Sequence, residues 1–282
     1  MEIVTKIAPI ALALIMLGLG LGLTSSDFTR ILKDPKVFFV GIVSQILLLP
    51  VVAYTLITLI NVPIEIALGV MIIASAPGGV TSNVMTKFAN GDVALSISLT
   101  AICSLISIIS VPIIIFNSAL YLGISNLTEN ITVTSIAIKM AIIVTIPVLI
   151  GMVIRNFAEN FIFKNLKLIE KLTGILFLIV FTAIWIEERG NIINYIKQAG
   201  TIVILLNVSM MFIAYIIAKF FTSNIQQRKT IALECGLQNG TLAVFVATQL
   251  FSDISYIVPT AAYALIMYIT AFIFIFIVRK FN

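Results

Sequence analysis

Apolar residues fall in long runs along this chain, and polar residues gather between them. Runs at 7–23, 37–60, 93–122, 136–154, 201–221 and 258–278 each reach or approach the roughly 20 residues that a helix needs to cross a bilayer. Shorter apolar stretches complete a reading of nine membrane segments, at about 7–24, 37–60, 64–90, 93–122, 135–155, 171–188, 200–221, 228–251 and 259–278. The pattern predicts an all-α polytopic membrane protein forming a single transmembrane domain over 1–282.

Two segments break the pattern. The third runs IEIALGVMIIASA, then PGG at 77–79, then VTSNVMTKFANGD; the eighth runs RKTIALECGLQ, then NG at 239–240, then TLAVFVATQLF. Each reads as two short half-helices joined by helix-breaking residues near mid-depth. Irregular backbone at that depth survives only where protein or a water-filled cavity surrounds it. The interruptions occupy corresponding places in two halves of opposite direction. Segments one to four mirror six to nine, with the fifth unpaired, so the repeats have four and five helices, at about 7–122 and 135–278. Paired broken helices in inverted repeats point to a transporter's central binding site. Their half-helix N-termini present positive dipole ends, which suits an anionic substrate.

Composition supports the membrane reading and narrows the chemistry. Hydrophobic residues make up 61% of the chain and charged ones 10%, more apolar surface than a soluble domain of this size can cover. The first run reads as a membrane segment and not a cleaved signal, because Glu2 accompanies Lys6 and no small-x-small site follows. There is no histidine, and Cys103 and Cys235 both lie within membrane segments, so a disulfide framework or His/Cys metal centre is not expected. The net charge of +5 matters through its distribution and implies no nucleic-acid partner. With the N-terminus outside, 13 of the 17 Lys and Arg fall on the inner side, leaving Lys6, Lys139, Arg189 and Lys197 outside. That asymmetry predicts an N-out, C-in protein of the cell (inner or plasma) membrane. The loop SNLTENITVT holds sequons at Asn126 and Asn130, a pattern of low specificity.

Glu234, in LECGLQNGTLA, is the acid placed deepest in an apolar segment. A carboxylate there is costly unless something positive neutralises it. Glu234 and Gln238 share a helix face, as do Ser96 and Thr100; Ser82 and Asn83 follow the first break, and Gln45 sits inside segment two. Singly, a Ser or Thr bonded to its own helix explains such residues, and Gln45 could be interhelical glue. Together they offer hydroxyl, amide and carboxylate oxygens, which suit a hard cation. One carboxylate favours sodium over a divalent ion. A proton on Glu234 is the competitor.

The stretches APGGVTSNVMTKFANGDVALSISLT (76–100) and LECGLQNGTLA (233–243) resemble the two signature regions of the bile acid:sodium symporter family, including its bacterial members. The resemblance runs along essentially the whole chain, with the SSDF stretch after segment one and the spacing of Gln45 and Pro50. It implies a core domain with two crossing discontinuous helices beside a panel domain. It further implies two sodium ions. Ser82, Asn83, Ser96, Thr100 and Glu234 would hold the first; Gln45, Glu234, Gln238 and the backbone carbonyls of Cys235 and Leu237 would hold the second. Thr81, Asn239 and the backbone near Val80 and Gly240 would contact the substrate.

The chain also departs from the family pattern. Relatives commonly have ten helices; nine are expected here, without a counterpart of the first. Cys235, Leu237, Gly240 and Thr241 replace common residues of the second signature, and the last segment, YALIMYIT, lacks the His-Asn pair of some relatives. The expected function is sodium-coupled symport of an organic anion by alternating access, the substrate being a bile-acid-like steroid or a smaller carboxylate such as a pantoate-like acid. The alternative is a proton-coupled transporter or sodium/proton exchanger using Glu234. An enzyme is not expected, since no second deep acid, histidine or nucleophile–base pair accompanies Glu234. Partners are the lipid bilayer and the small anion, with the protein a monomer or weak homodimer.

Overall fold

The computed structural model describes residues 2–29, 32–124, 132–187, 190, 192–251 and 253–280. Both sequons, Arg30 and Arg189 lie outside the described residues. The regular structure among the described residues is all helical: α1 (Glu2–Gly22), α2 (Ser25–Thr29), α3 (Pro35–Val43), α4 (Leu49–Leu59), α5 (Ile64–Ser75), α6 (Val80–Phe88), α7 (Val93–Tyr121), α8 (Val133–Met140), α9 (Ile146–Phe157), α10 (Glu159–Glu187), α11 (Ile192–Phe221), α12 (Ile225–Gly236), α13 (Gly240–Leu250) and α14 (Val258–Lys280). Among the described residues, five helical stretches are long and apolar enough to cross a membrane: Pro35–Leu59, Val93–Tyr121, Val133–Phe157, Ala199–Phe221 and Ile254–Lys280. Pro9–Gly22, Ile64–Ser75 and Gly240–Leu250 are shorter apolar helices. Large apolar side chains such as Phe39, Leu47, Phe212 and Phe276 stand exposed, as lipid-facing residues do. This is a multi-pass membrane protein.

The sixth segment begins earlier than the apolar pattern implies. Helix α10 starts at Glu159, taking in the charged stretch before 171, because helical hydrogen bonding needs no apolar run to extend beyond a membrane. Two other segments contain a π turn, Ser44–Leu48 between α3 and α4 and Ala141–Thr145 between α8 and α9. Proline follows at the start of each next helix. Its missing N–H breaks the i−4 ladder and favours a wider turn. The first of these turns carries Gln45.

Helix α1 packs against α9 and α10, whereas α11 packs against α12 and α14, and α5 against α4, α7 and α14. The α1–α9 crossing is close enough that a Cβ on Gly20 would stand 2.1 Å from the Val148 carbonyl oxygen, and one on Gly151 2.4 Å from that of Leu17. Small residues permit such backbone contact between membrane helices.

The two broken helices meet at their breaks. Ala76 and Gly79 are extended, with ψ of 144° and 160°, as is Leu237, with φ of −111°. Gly78 and Gln238 form an antiparallel bridge. The Gly79 N–H donates to the Leu237 carbonyl at 3.0 Å and the Asn239 N–H to the Pro77 carbonyl at 2.8 Å. Unwound backbone in a low-dielectric interior costs several kcal/mol per unsatisfied group; here each break satisfies the other.

Candidate functional site

Glu234 lies on the last turn and a half of α12, 1% exposed. Its Oε1 accepts hydrogen bonds from Ser82 on α6 and Ser96 on α7, and its Oε2 accepts one from Thr100 at 2.9 Å. Ser96 Oγ also lies 2.8 Å from Asn83 Oδ1, and Ser82 Oγ 2.7 Å from the Gly79 carbonyl. Three of the residues expected around the first ion therefore bond the carboxylate of Glu234, and the other, Asn83, reaches it through Ser96. The geometry also shows a deficit. Ser82 and Ser96 each have one hydroxyl proton but two acceptors within reach. Acceptors outnumber donors around a buried carboxylate, which is the arrangement that a bound cation, or a proton on the acid, relieves.

On the other side of the break, the Gln45 side-chain amide donates to the Glu234 backbone carbonyl at 3.2 Å, and the Gln238 amide to the Cys235 carbonyl at 2.8 Å. The oxygens of both amides, Gln45 Oε1 and Gln238 Oε1, are buried with no hydrogen-bond partner among the described residues. Such groups are rare in folded proteins. Two orphaned amide oxygens beside the carbonyl end of a helix, where the dipole is negative, form an oxygen-only donor set that fits a monovalent hard cation. Gly78 is required by this closeness. A Cβ there would stand 2.6 Å from Glu234 Oε2 and 2.7 Å from Gln45 Nε2.

A helix C-terminus leaves its last carbonyls without intrahelical partners, and α12 resolves this through five other residues. Glu234 O takes Gln45, Cys235 O takes Gln238, Gly236 O takes Asn207 and Tyr263, and Leu237 O takes the Gly79 N–H. Asn207 and Tyr263 are residues that sequence reasoning missed. The available signal was an asparagine in the apolar run LLNVSMM of α11, since a polar side chain at membrane depth is rare without a role.

The expected substrate contacts separate into two environments. Val80 and Thr81 open the first turn of α6, partly exposed and with no side-chain cap, and the Tyr268 hydroxyl reaches Thr81 Oγ1 at 3.4 Å. Asn239 and Gly240 are buried at the start of α13. The Asn239 side chain caps that helix by accepting from the Leu242 N–H at 3.0 Å, while the Gly240 N–H donates to the Gln238 carbonyl at 3.0 Å. Thr260 and Ala264 of α14 stand near Gly240. The start of α6 thus carries no side-chain cap, whereas that of α13 is capped by Asn239.

At one end of the molecule the half-helices are tied together. Lys229, 3% exposed, donates to the Ala89 carbonyl at 3.2 Å, beyond the C-terminus of α6, where a cation complements the helix dipole. The neighbouring Thr230 hydroxyl accepts from the Asp92 N–H at 2.8 Å.

Two interrupted helices crossing at mid-length, with a buried acid and polar oxygens gathered at the crossing, define the class: a membrane transport protein. The particular family follows from comparison with known proteins. Residues 9–195 match the model of the Sodium Bile acid symporter family, and the chain belongs to that family. It is 30% identical over 257 residues to the uncharacterized sodium-dependent transporter YocS of Bacillus subtilis, covering 90% of this chain and 77% of that protein. It is 29% identical over 255 residues to the probable chloroplastic sodium/metabolite cotransporter BASS1 of Arabidopsis thaliana, covering 89% of this chain and 61% of the relative. It is also 30% identical over 232 residues to the hepatic sodium/bile acid cotransporter of Rattus norvegicus, covering 81% and 63%. The chain thus spans less than two thirds of the plant and rat proteins.

Proposed function

We propose that this protein is a sodium-coupled symporter of an organic anion, working by alternating access. The observation that carries the reading is Glu234: a buried carboxylate at a helix crossing, short of donors, flanked by two orphaned amide oxygens. One sodium ion lies among Ser82, Asn83, Ser96, Thr100 and Glu234. A second lies among Gln45, Glu234, Gln238 and the carbonyls of Cys235 and Leu237, so that Glu234 serves both. The anion, a bile-acid-like steroid or a smaller carboxylate, binds beside the open first turn of α6 at Val80 and Thr81, near Asn239 and Gly240. The chain crosses the cell membrane nine times in two inverted repeats, N-terminus outside, with α1, α9 and α10 in a panel beside the core. Family membership and the names of the relatives support sodium dependence.

Two sodium ions moving with one monoanion carry a net positive charge inward, and a potential of 100 mV supplies roughly 2.3 kcal/mol for each charge moved. The test is uptake into proteoliposomes of a panel of labelled bile acids and small carboxylates under a sodium gradient, with current recorded on a supported membrane. Sodium-driven accumulation with inward positive current is expected. Uptake that ignores sodium and follows an imposed pH gradient would replace sodium by a proton on Glu234.

A further inference from the structure

The Gly236 carbonyl, between the Cys235 and Leu237 carbonyls assigned above to sodium, accepts from a buried polar brace. Asn207 Nδ2 donates to Gly236 O at 2.7 Å and lies 3.0 Å from the Tyr263 hydroxyl, which itself donates to Gly236 O at 3.1 Å. Thr270 Oγ1 lies 2.5 Å from Asn207 Oδ1, its one proton shared among that oxygen and the Ile266 and Met267 carbonyls, and the Asn207 nitrogen is turned toward Gly236. Asn207 and Tyr263 are both 0% exposed. Met211 closes the other side, its Cγ standing 2.4 Å from where a Cβ on Gly236 would be. There is no room for a side chain at Gly236, and its oxygen has two donors.

We propose that Asn207, Tyr263 and Thr270 are positioning residues for the second sodium site, setting its affinity and ion selectivity by orienting the carbonyls on either side of Gly236. The inference rests on the sodium reading above. At a helix end, successive carbonyls are free to splay because the ladder that aligned them has stopped. With Gly236 O pinned to α11 and α14, the peptides on either side inherit a set direction: Glu234 O and Cys235 O are held by Gln45 and Gln238, and Leu237 O by Gly79. Discrimination between small cations depends on ligand number and on how rigidly the cage holds its size, so slackening this peptide loosens the cage without removing a ligand. The brace also joins the ion site to α11 and α14, two helices that contribute no ligand to it.

The test compares Tyr263→Phe and Thr270→Val with wild type by thermal melting of purified protein titrated with sodium, lithium or potassium chloride. Thr270→Ser is the rescue. Thr55→Val is the control, because Thr55 makes only a bond to the Val51 carbonyl of its own helix, on an exposed face, and Thr270 makes similar bonds to Ile266 and Met267. The expected result is a rise of about three- to tenfold in the sodium concentration for half-maximal stabilisation, the scale of one buried hydrogen bond, with a smaller preference for sodium over lithium. Thr270→Ser and Thr55→Val should behave as wild type. Phe and Val variants that melt lower in all three salts, with the wild-type sodium midpoint and selectivity, would show a merely structural brace and overturn the proposal. A wild type indifferent to sodium would instead overturn the sodium reading, and the brace with it.

Discussion

Replacing Glu234 by Gln changes charge and one hydrogen-bonding atom while keeping shape, so its effects separate cleanly. Three hydroxyls now donate to the carboxylate, from Ser82, Ser96 and Thr100. A hydrogen bond to a charged group contributes about 1.5–3 kcal/mol and a neutral one about 0.5–1.5, so the exchange weakens these contacts by about 3 kcal/mol in all. Against this, removing an uncompensated buried charge relieves a penalty of several kcal/mol. In potassium, therefore, the variant should melt at or above the wild-type temperature. Sodium reverses the order. An ion at 100 times its dissociation constant stabilises the folded state by about 2.7 kcal/mol per site, which corresponds to about 5–10 °C in melting temperature for a chain of this size. Wild type should show that increment in sodium and the variant should show none. The assay is thermal melting in detergent with equal ionic strengths of the two chlorides. If Glu234→Gln keeps the wild-type sodium increment, the carboxylate is not a ligand and the reasoning from its unbalanced acceptors is wrong.

Thr100→Ala should weaken mainly the first ion and Gln45→Ala mainly the second, each raising the sodium midpoint; identical sodium dependence in these two variants and Glu234→Gln would refute separate sites. Gly78→Ala places a methyl carbon within 3 Å of both Glu234 and Gln45, so sodium-specific stabilisation and uptake should both disappear, and a variant that still responds to sodium would show that the crossing has slack. Lys229→Met removes a cation from the end of α6 and should cost about 1 kcal/mol equally in sodium and potassium, seen as a common drop in melting temperature; a loss confined to sodium would place Lys229 in ion coupling.

Much of this molecule was legible in its residues taken in order. Run lengths showed a polytopic helical membrane protein, because a bilayer demands a fixed span of apolar side chains. Proline and glycine at 77–79 located the first helix break by local backbone chemistry, whereas in the second α12 already ends at Gly236, and Asn239 and Gly240 cap and open α13. Glu234 stood out because a deep acid has few affordable explanations, and its neighbours in the two signature stretches named the hydroxyls that gather around it. What the sequence left undetermined was everything that depends on segments far apart in the chain. No local pattern shows that Gly79 donates to Leu237 or that Gly78 pairs with Gln238, because the donors of one break find their acceptors in another helix. The brace of Asn207, Tyr263 and Thr270 shares that origin. Chain chemistry decides where a helix must stop; only packing decides which partners the exposed carbonyls find, and that choice shapes the oxygen cluster around Glu234.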